Sequence, residues 1–144
     1  MKIIYTCYWG SCLALAAALL HLNILSTSSG MKEISNIPCF GKLDRQRLGE
    51  MFFIGQDDKG QEVYIMGVGN ADKIIKRTIT GFCQIYELRE NSINFIDVRS
   101  CYNFYISIGT FISRVGFFHK IGNQLLIFGV KKSIPKLVKI VKKC

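Results

Sequence analysis

Four segments of this sequence carry small, polar and basic residues in an order that could bind an anion. They are residues 8–12 (YWGSC), 67–70 (GVGN), 97–103 (DVRSCYN) and 129–133 (GVKKS). Each follows an apolar run and precedes a predicted helix, and a helix N-terminus offers unpaired N–H groups and a positive dipole. We therefore predict a site for a phosphorylated or otherwise anionic small molecule, made by Gly10, Ser11, Gly67, Gly69, Asn70, Arg99, Lys131 and Lys132.

Two residues in these segments are candidates for catalysis, although no motif names a reaction. Asp97 is the one acid that we expect there, able to accept a proton, hold a metal ion or bind a sugar hydroxyl. Cys12, like Cys7, lies near the start of a predicted helix, where the pKa of a thiol falls. The segments lack a Walker A ending, a complete dinucleotide fingerprint and a Cys-x5-Arg loop. The sequence thus assigns no reaction, cofactor or metal, and two other interpretations stay open: tight turns at the glycines and an Asp97–Arg99 ion pair.

The elements that must position these segments alternate between strand and helix patterns along 144 residues. Strands are predicted at residues 3–9, 51–55, 62–67, 93–98 and 124–128. Helices are predicted at residues 12–22, near 43–48, and at 70–86, 104–115 and 131–143. Asn70 would cap the third of these helices, and Pro135 fits only the first turn of the last one. This order predicts a single α/β domain over residues 1–144, with a mainly parallel sheet of about five strands, one hairpin, and helices on both faces. Ligands of such sheets bind beyond the carboxyl ends of the strands.

The charge of the chain supports a second kind of function. The net charge is +9, yet residues 1–97 carry ten basic and ten acidic side chains, whereas residues 98–144 carry nine basic ones and no acid. In the last predicted helix the lysines share one side and the apolar residues the other: Lys132, Lys136, Lys139 and Lys143 against Ile134, Leu137, Val138 and Val141. A non-enzymatic protein that docks this basic surface on an anionic membrane or on nucleic acid is the alternative prediction.

The N-terminal residues also allow two interpretations. Residues 3–9 are mostly β-branched or aromatic and residues 10–11 are Gly-Ser, which favours a buried strand, a turn and a helix in a cytoplasmic protein. The alternative is a signal peptide or membrane anchor in residues 1–25, because the stretch is long and nearly uncharged. Six cysteines without a two-residue spacing favour reduced, buried thiols.

Several of these segments together resemble an uncharacterised bacterial family, the domain of unknown function 3189. The resemblance rests on residues 2–11, 16–22, 60–70, 97–103, 109–114 and 129–132, which span almost the whole chain. It implies a small bacterial protein without an assigned activity. In the pattern of that family, His, Ser or Thr follow the Gly-Ser of the first loop, whereas residues 12–15 here are Cys-Leu-Ala-Leu. Residues 12–15 therefore lack the hydroxyl and imidazole groups that the pattern of the family places after the Gly-Ser.

Overall fold

The computed structural model describes residues 1–26, 28, 30–37, 40, 47–87, 92–113 and 118–142. Within these residues the chain forms four strands: β1 (Lys2–Cys7), β2 (Met51–Gln56), β3 (Glu62–Gly67) and β4 (Ile93–Asp97). The same residues form five α-helices: α1 (Leu13–His21), α2 (Met31–Ser35), α3 (Asp72–Ile85), α4 (Phe104–Ile112) and α5 (His119–Val141). A short 3-10 helix, Arg99–Cys101, connects β4 to α4. The α/β class is confirmed; the helix predicted near residues 43–48 falls mostly outside the described residues.

The strands form one mixed sheet in the order β2-β3-β1-β4. β1 pairs in parallel with β3 on one side and with β4 on the other, while β2 pairs antiparallel with β3 through the predicted hairpin. Because β1, β3 and β4 run in the same direction, their carboxyl ends meet at one edge. The predicted sheet of about five strands is wrong, since the described residues contain four strands in this sheet.

The missing strand was predicted at residues 124–128, which lie inside α5. The run Leu-Leu-Ile-Phe lacks the polar interruptions of a surface helix because α5 packs against both α1 and α4, which buries Leu126 and Ile127. A short apolar run of this kind does not distinguish a buried strand from a buried helix. The helix also continues through Pro135, which is exposed, so the predicted helix at 131–143 is the second half of a longer one and Pro135 is not in its first turn.

Helices cover both faces of the sheet, as predicted, but unequally. Alternate residues of β1 point to opposite sides, so that Ile3 and Tyr5 join the large core with α1, α4 and α5, whereas Ile4 faces α3. α1 buries eight of its residues, while α3 buries none and contributes only the half-buried Ile75 and Ile79 to the smaller cluster. The larger core of the domain therefore lies on the side of α1, α4 and α5.

The apolar N-terminal segment builds the centre of the domain. β1 lies between two neighbouring strands, and its residues after Lys2 are buried. α1 follows it directly, as the strand–turn–helix pattern predicted. Within the described residues, no helix combines the length and the apolar character that crossing a bilayer requires. A cytoplasmic location stays a prediction.

α4 and α5 approach each other closely through three glycines. A Cβ atom on Gly109 would lie 2.8 Å from the backbone nitrogen of Leu126, and one on Gly129 would lie 2.9 Å from that of Ile106. Gly122 is in similar contact with the backbone of Ser113. Each distance is shorter than a real Cβ tolerates, so side chains at these positions would push the two helices apart. The position of α4, which forms one side of the candidate site, depends on this contact.

Candidate functional site at the carboxyl edge of the sheet

A cleft opens where the carboxyl ends of β1 and β4 diverge. The chain passes from β1 to β3 on one side and then returns, through α3, to β4 on the other side of β1. Open α/β sheets bind ligands beyond the carboxyl ends of their strands, next to such a reversal of strand order. The cleft has a volume of about 390 Å³ and is lined by Tyr8, Trp9, Arg99, Tyr102, Ser107, Thr110 and Phe111.

Aromatic side chains form most of the cleft wall. Tyr8 and Trp9 follow β1 directly and pack edge to face, with ring centroids 4.7 Å apart. Tyr102 is half-buried at the other side, and Phe111 on α4 is 74% exposed. Four of the lining residues are aromatic, and aromatic side chains suit a planar ligand.

α4 supplies the hydroxyl groups of the cleft. Ser107, Thr110 and Phe111 share one side of the helix because they are three or four residues apart. Asn103 fixes the start of this helix: its Oδ1 accepts from the backbone N–H of Ile106 at 3.0 Å, and its Nδ2 donates to the carbonyl of Gly129 at 2.7 Å. The position of α4 against the cleft thus depends on its contact with α5.

Arg99 lies between two carboxylates at the edge of the cleft. Its Nε and Nη2 donate to both oxygens of Asp97 at 2.7 to 3.0 Å, and Nη2 also donates to Oδ2 of Asp72 at 2.6 Å. The backbone N–H of Arg99 donates to Asp97 as well, at 2.9 Å. Hydrogen bonds from Arg99 lower the pKa of Asp72, and both carboxylates raise the pKa of Arg99. The alternative interpretation of Asp97 as an ion-pair partner of Arg99 is confirmed.

Asp97 is not the only acid at this edge, contrary to the prediction. Asp72 begins α3, which follows β3, and the sheet order brings it to Arg99. Among the described residues there is no group of three or more His, Cys, Asp or Glu that could hold a metal ion. The local charge of this cluster is therefore one guanidinium against two carboxylates.

The predicted residues of the first two segments lie close together, but they pack against each other. Gly10 has a φ of +78°, and a Cβ there would lie 2.7 Å from the backbone nitrogen of Gly67. The N–H groups of Val68 and Gly69 donate to the carbonyls of Cys7 and Tyr8 at 2.9 and 3.0 Å. These N–H groups, which a phosphate would need, are bound within the protein. The glycines allow close contact between the two loops.

The remaining residues of these segments have different positions. Ser11 and Cys12 are buried, with 2% and 4% of their surface exposed. Asn70 is exposed and does not cap α3, whose N-cap is Ala71 without a side-chain hydrogen bond. Burial raises the pKa of Cys7 although four backbone N–H groups of the loop and α1 oppose it, so the expected fall in thiol pKa is wrong for Cys7. The catalytic roles of Cys12 and Asp97 stay predictions.

The fourth segment is not a strand-to-helix junction. Lys131 and Lys132 lie within α5 and are exposed, and Nζ of Lys132 is 4.8 Å from the ring centroid of Tyr105. Neither lysine is among the described residues that line the cleft. Ser133, in contrast, is buried and donates to the carbonyl of Cys101 at 2.7 Å. The segment therefore joins α5 to the start of α4 and presents its two lysines to solvent.

Sequence reasoning missed most of the cleft lining. Tyr8, Trp9 and Tyr102 lie within the segments singled out but are not among the predicted ligand-binding residues, and Asp72 lies two residues beyond one of these segments. Ser107, Thr110 and Phe111 were treated only as part of a helix. Their three- and four-residue spacing was the signal that could have grouped them, once the start of α4 was known to face β1.

We expect the Arg99→Met variant to be less stable than the wild type at neutral pH, with a difference that shrinks in acid. Arg99 holds the pKa of Asp72 below its ordinary value, so this pairing stabilises the fold above about pH 4 and is lost as pH falls through the lowered pKa. Urea unfolding at several pH values measures the difference. Arg47→Met, which breaks the exposed Arg47–Glu50 pair, is the control and should cost several-fold less at neutral pH. A loss in Arg99→Met that does not change with pH would contradict this account.

Comparison with known proteins gives one match. The family model described as Protein of unknown function (DUF3189) matches residues 2–144. Neither the curated proteins nor the solved structures contain a match to the chain.

Proposed function

The chain belongs to the family described as Protein of unknown function (DUF3189), and we therefore propose a function from the cleft alone. The protein binds a small molecule that carries a planar ring and one anionic group, such as a phosphate. The ligand occupies the cleft between the carboxyl ends of β1 and β4, with its ring against the aromatic wall and its anionic group toward Arg99.

The observation that carries this proposal is the aromatic lining of a cleft at the reversal of strand order. Four rings, those of Tyr8, Trp9, Tyr102 and Phe111, surround a volume of about 390 Å³. Small-molecule sites in proteins have volumes of this order, mostly apolar walls and a few convergent polar groups. The hydroxyls of Ser107 and Thr110 and the guanidinium of Arg99 are the polar groups here.

The hydrogen bonds of Arg99 indicate how much negative charge the site can bind. Its Nε and Nη2 donate to Asp97 and Asp72, while its Nη1 makes no hydrogen bond within the described part of the chain. The two N–H groups of Nη1 suit one anionic group. Because two carboxylates already offset the guanidinium charge, the ring contributes most of the affinity, and a ligand with more than one phosphate is disfavoured.

The lysines predicted for this ligand have no part in the proposal. Lys131 and Lys132 are exposed on α5 and do not line the cleft. The backbone N–H groups of Val68 and Gly69 are likewise bound to the neighbouring loop. The ring of the ligand is therefore expected to contribute more to its affinity than the anionic group does.

A thermal-shift comparison of adenosine monophosphate, adenosine and ribose 5-phosphate tests the proposal. We expect a larger rise in Tm with adenosine monophosphate than with adenosine, and almost none with ribose 5-phosphate. Phe111→Ala should weaken binding of adenosine monophosphate about tenfold, since one stacked aromatic ring contributes about 1–3 kcal/mol per base. Phe111 is largely exposed, so its removal leaves the fold intact.

Phe82→Ala is the matched control, because Phe82 is exposed on α3, on the other face of the sheet. This variant should bind adenosine monophosphate as the wild type does. The proposal is wrong if none of the three compounds shifts Tm, or if ribose 5-phosphate alone does. Equal weakening in the two phenylalanine variants would also count against it.

A further inference from the structure

α4 and α5 together expose a surface that is both aromatic and basic. We call it the α4–α5 surface and define it by Phe104, Tyr105, Ile121, Phe128, Lys131, Lys132 and Lys139. Phe104 is 73% exposed, Ile121 52% and Phe128 42%. Large apolar side chains in such number on one surface of a domain indicate an interaction site. None of these residues is among the described residues that line the cleft.

The aromatic and basic residues of this surface are in contact. The ring of Tyr105 lies 6.4 Å from that of Phe104 and 5.1 Å from that of Phe128, measured between centroids. Nζ of Lys132 lies 4.8 Å from the Tyr105 centroid, in the geometry of a cation–π contact. The aromatic cluster therefore continues directly into the lysines.

The lysines follow the same exposed side of α5. Residues 121, 128, 131/132, 135 and 139 recur at spacings of three, four or seven, which places them along one side of the helix. The opposite side, including Val130, Ile134 and Leu137, is buried against the rest of the domain. No acidic residue occurs after Asp97 in the sequence, so nothing on α4 or α5 offsets the positive charge.

We propose that the α4–α5 surface binds an anionic phospholipid bilayer. Its aromatic and aliphatic side chains lie at the level of the headgroups, and its lysines contact the lipid phosphates. Each lysine close to an anionic membrane contributes about a fivefold gain in binding. A bilayer fits better than single-stranded nucleic acid because Ile121 offers no face for base stacking and the defined surface carries lysine but no arginine.

Co-sedimentation of the full chain with lipid vesicles tests this proposal. We expect binding to vesicles of phosphatidylglycerol with phosphatidylcholine, little binding to phosphatidylcholine alone, and weaker binding as salt is raised. The double variant Lys131→Gln/Lys132→Gln should bind about 25-fold less tightly. Both lysines are exposed, so the variant should keep the circular dichroism spectrum of the wild type.

The control variant is Lys73→Gln/Lys76→Gln, which makes the same change of charge on exposed lysines of α3. It should lose less than threefold. A second test variant, Phe104→Gln/Phe128→Gln, removes apolar area without changing the charge and should weaken binding while leaving its dependence on salt unchanged.

Three outcomes would overturn the membrane proposal. The first is an absence of binding to anionic vesicles at low salt. The second is an equal loss in the α5 and α3 lysine variants, which would show attraction by net charge alone. The third is binding to a thymidine oligonucleotide, but not to vesicles, that depends on Lys131 and Lys132, because that result would assign the surface to nucleic acid.

Discussion

Replacing Gly10 with alanine is expected to lower the free energy of unfolding by about 3 kcal/mol. Two effects add at this position. The φ of +78° is a left-handed conformation that costs a non-glycine residue about 1–2 kcal/mol, and the new Cβ would lie 2.7 Å from the backbone nitrogen of Gly67. The obstacle is the backbone at the end of β3, where Gly67 pairs with Cys7, and a paired strand cannot move aside as a flexible side chain does.

Gly49→Ala separates these two effects. Gly49 has a φ of +87°, but no described atom lies within 4 Å of the position that its Cβ would take. Alanine there should cost only the backbone strain, about 1 kcal/mol. Urea unfolding with linear extrapolation measures both variants. If they lose the same stability, the close contact between the loop after β1 and the end of β3 contributes nothing, and this account of Gly10 is wrong.

Gly129→Ala is expected to lower the free energy of unfolding by about 2 kcal/mol, although alanine is the better helix former. The new Cβ would lie 2.6 Å from Cγ1 of Ile106 and 2.9 Å from its backbone nitrogen, so α4 and α5 must separate. The carbonyl of Gly129 also accepts the hydrogen bond from Asn103 that fixes the start of α4. We therefore expect this variant to bind adenosine monophosphate more weakly as well.

Gly81→Ala is the matched control within a helix. No described atom lies within 4 Å of its Cβ position, and the helix α3 continues on both sides. Alanine there should raise the free energy of unfolding by about 0.5–1 kcal/mol. The same urea measurement compares the two variants. A gain in stability for Gly129→Ala similar to that of Gly81→Ala would mean that the two helices do not pack as closely as described.

The features predicted correctly are those that depend on neighbours in the sequence. β1, α1 and the β2–β3 hairpin follow from composition, period and turn residues within short windows. The Asp97–Arg99 pair follows from two residues at a strand end. The strand predicted at 124–128 is wrong because the environment of this apolar run is set by its packing against α4 and against α1, which is distant in the sequence. Without that environment, its pattern suits a buried strand as well as a buried helix.

The cleft lies at the edge of the sheet that the sequence indicated, and Arg99 is the one predicted ligand-binding residue among the described residues that line it. The edge follows from where the predicted strands end, and this does not require the order of the strands in the sheet. The contact between Asp72 and Arg99, in contrast, requires that β3 and β4 flank β1, and that order cannot be read from the sequence. Gly10 and Gly67 were identified as special positions, yet glycine allows close packing as readily as ligand contact.

The central position of β1 has a consequence for how the domain is assembled during synthesis. Lys2 pairs with Glu62 and with Ile93, so β1 leaves the ribosome well before either neighbouring strand exists. Until residue 97 has been made, the apolar segment of β1 and α1 lacks one complete edge of hydrogen bonds and much of its cover. Contacts so distant in the sequence slow folding, and an apolar nascent segment is a substrate for chaperones. The segment that forms the most buried strand and helix is thus the one that stays exposed for longest before its partners are synthesised.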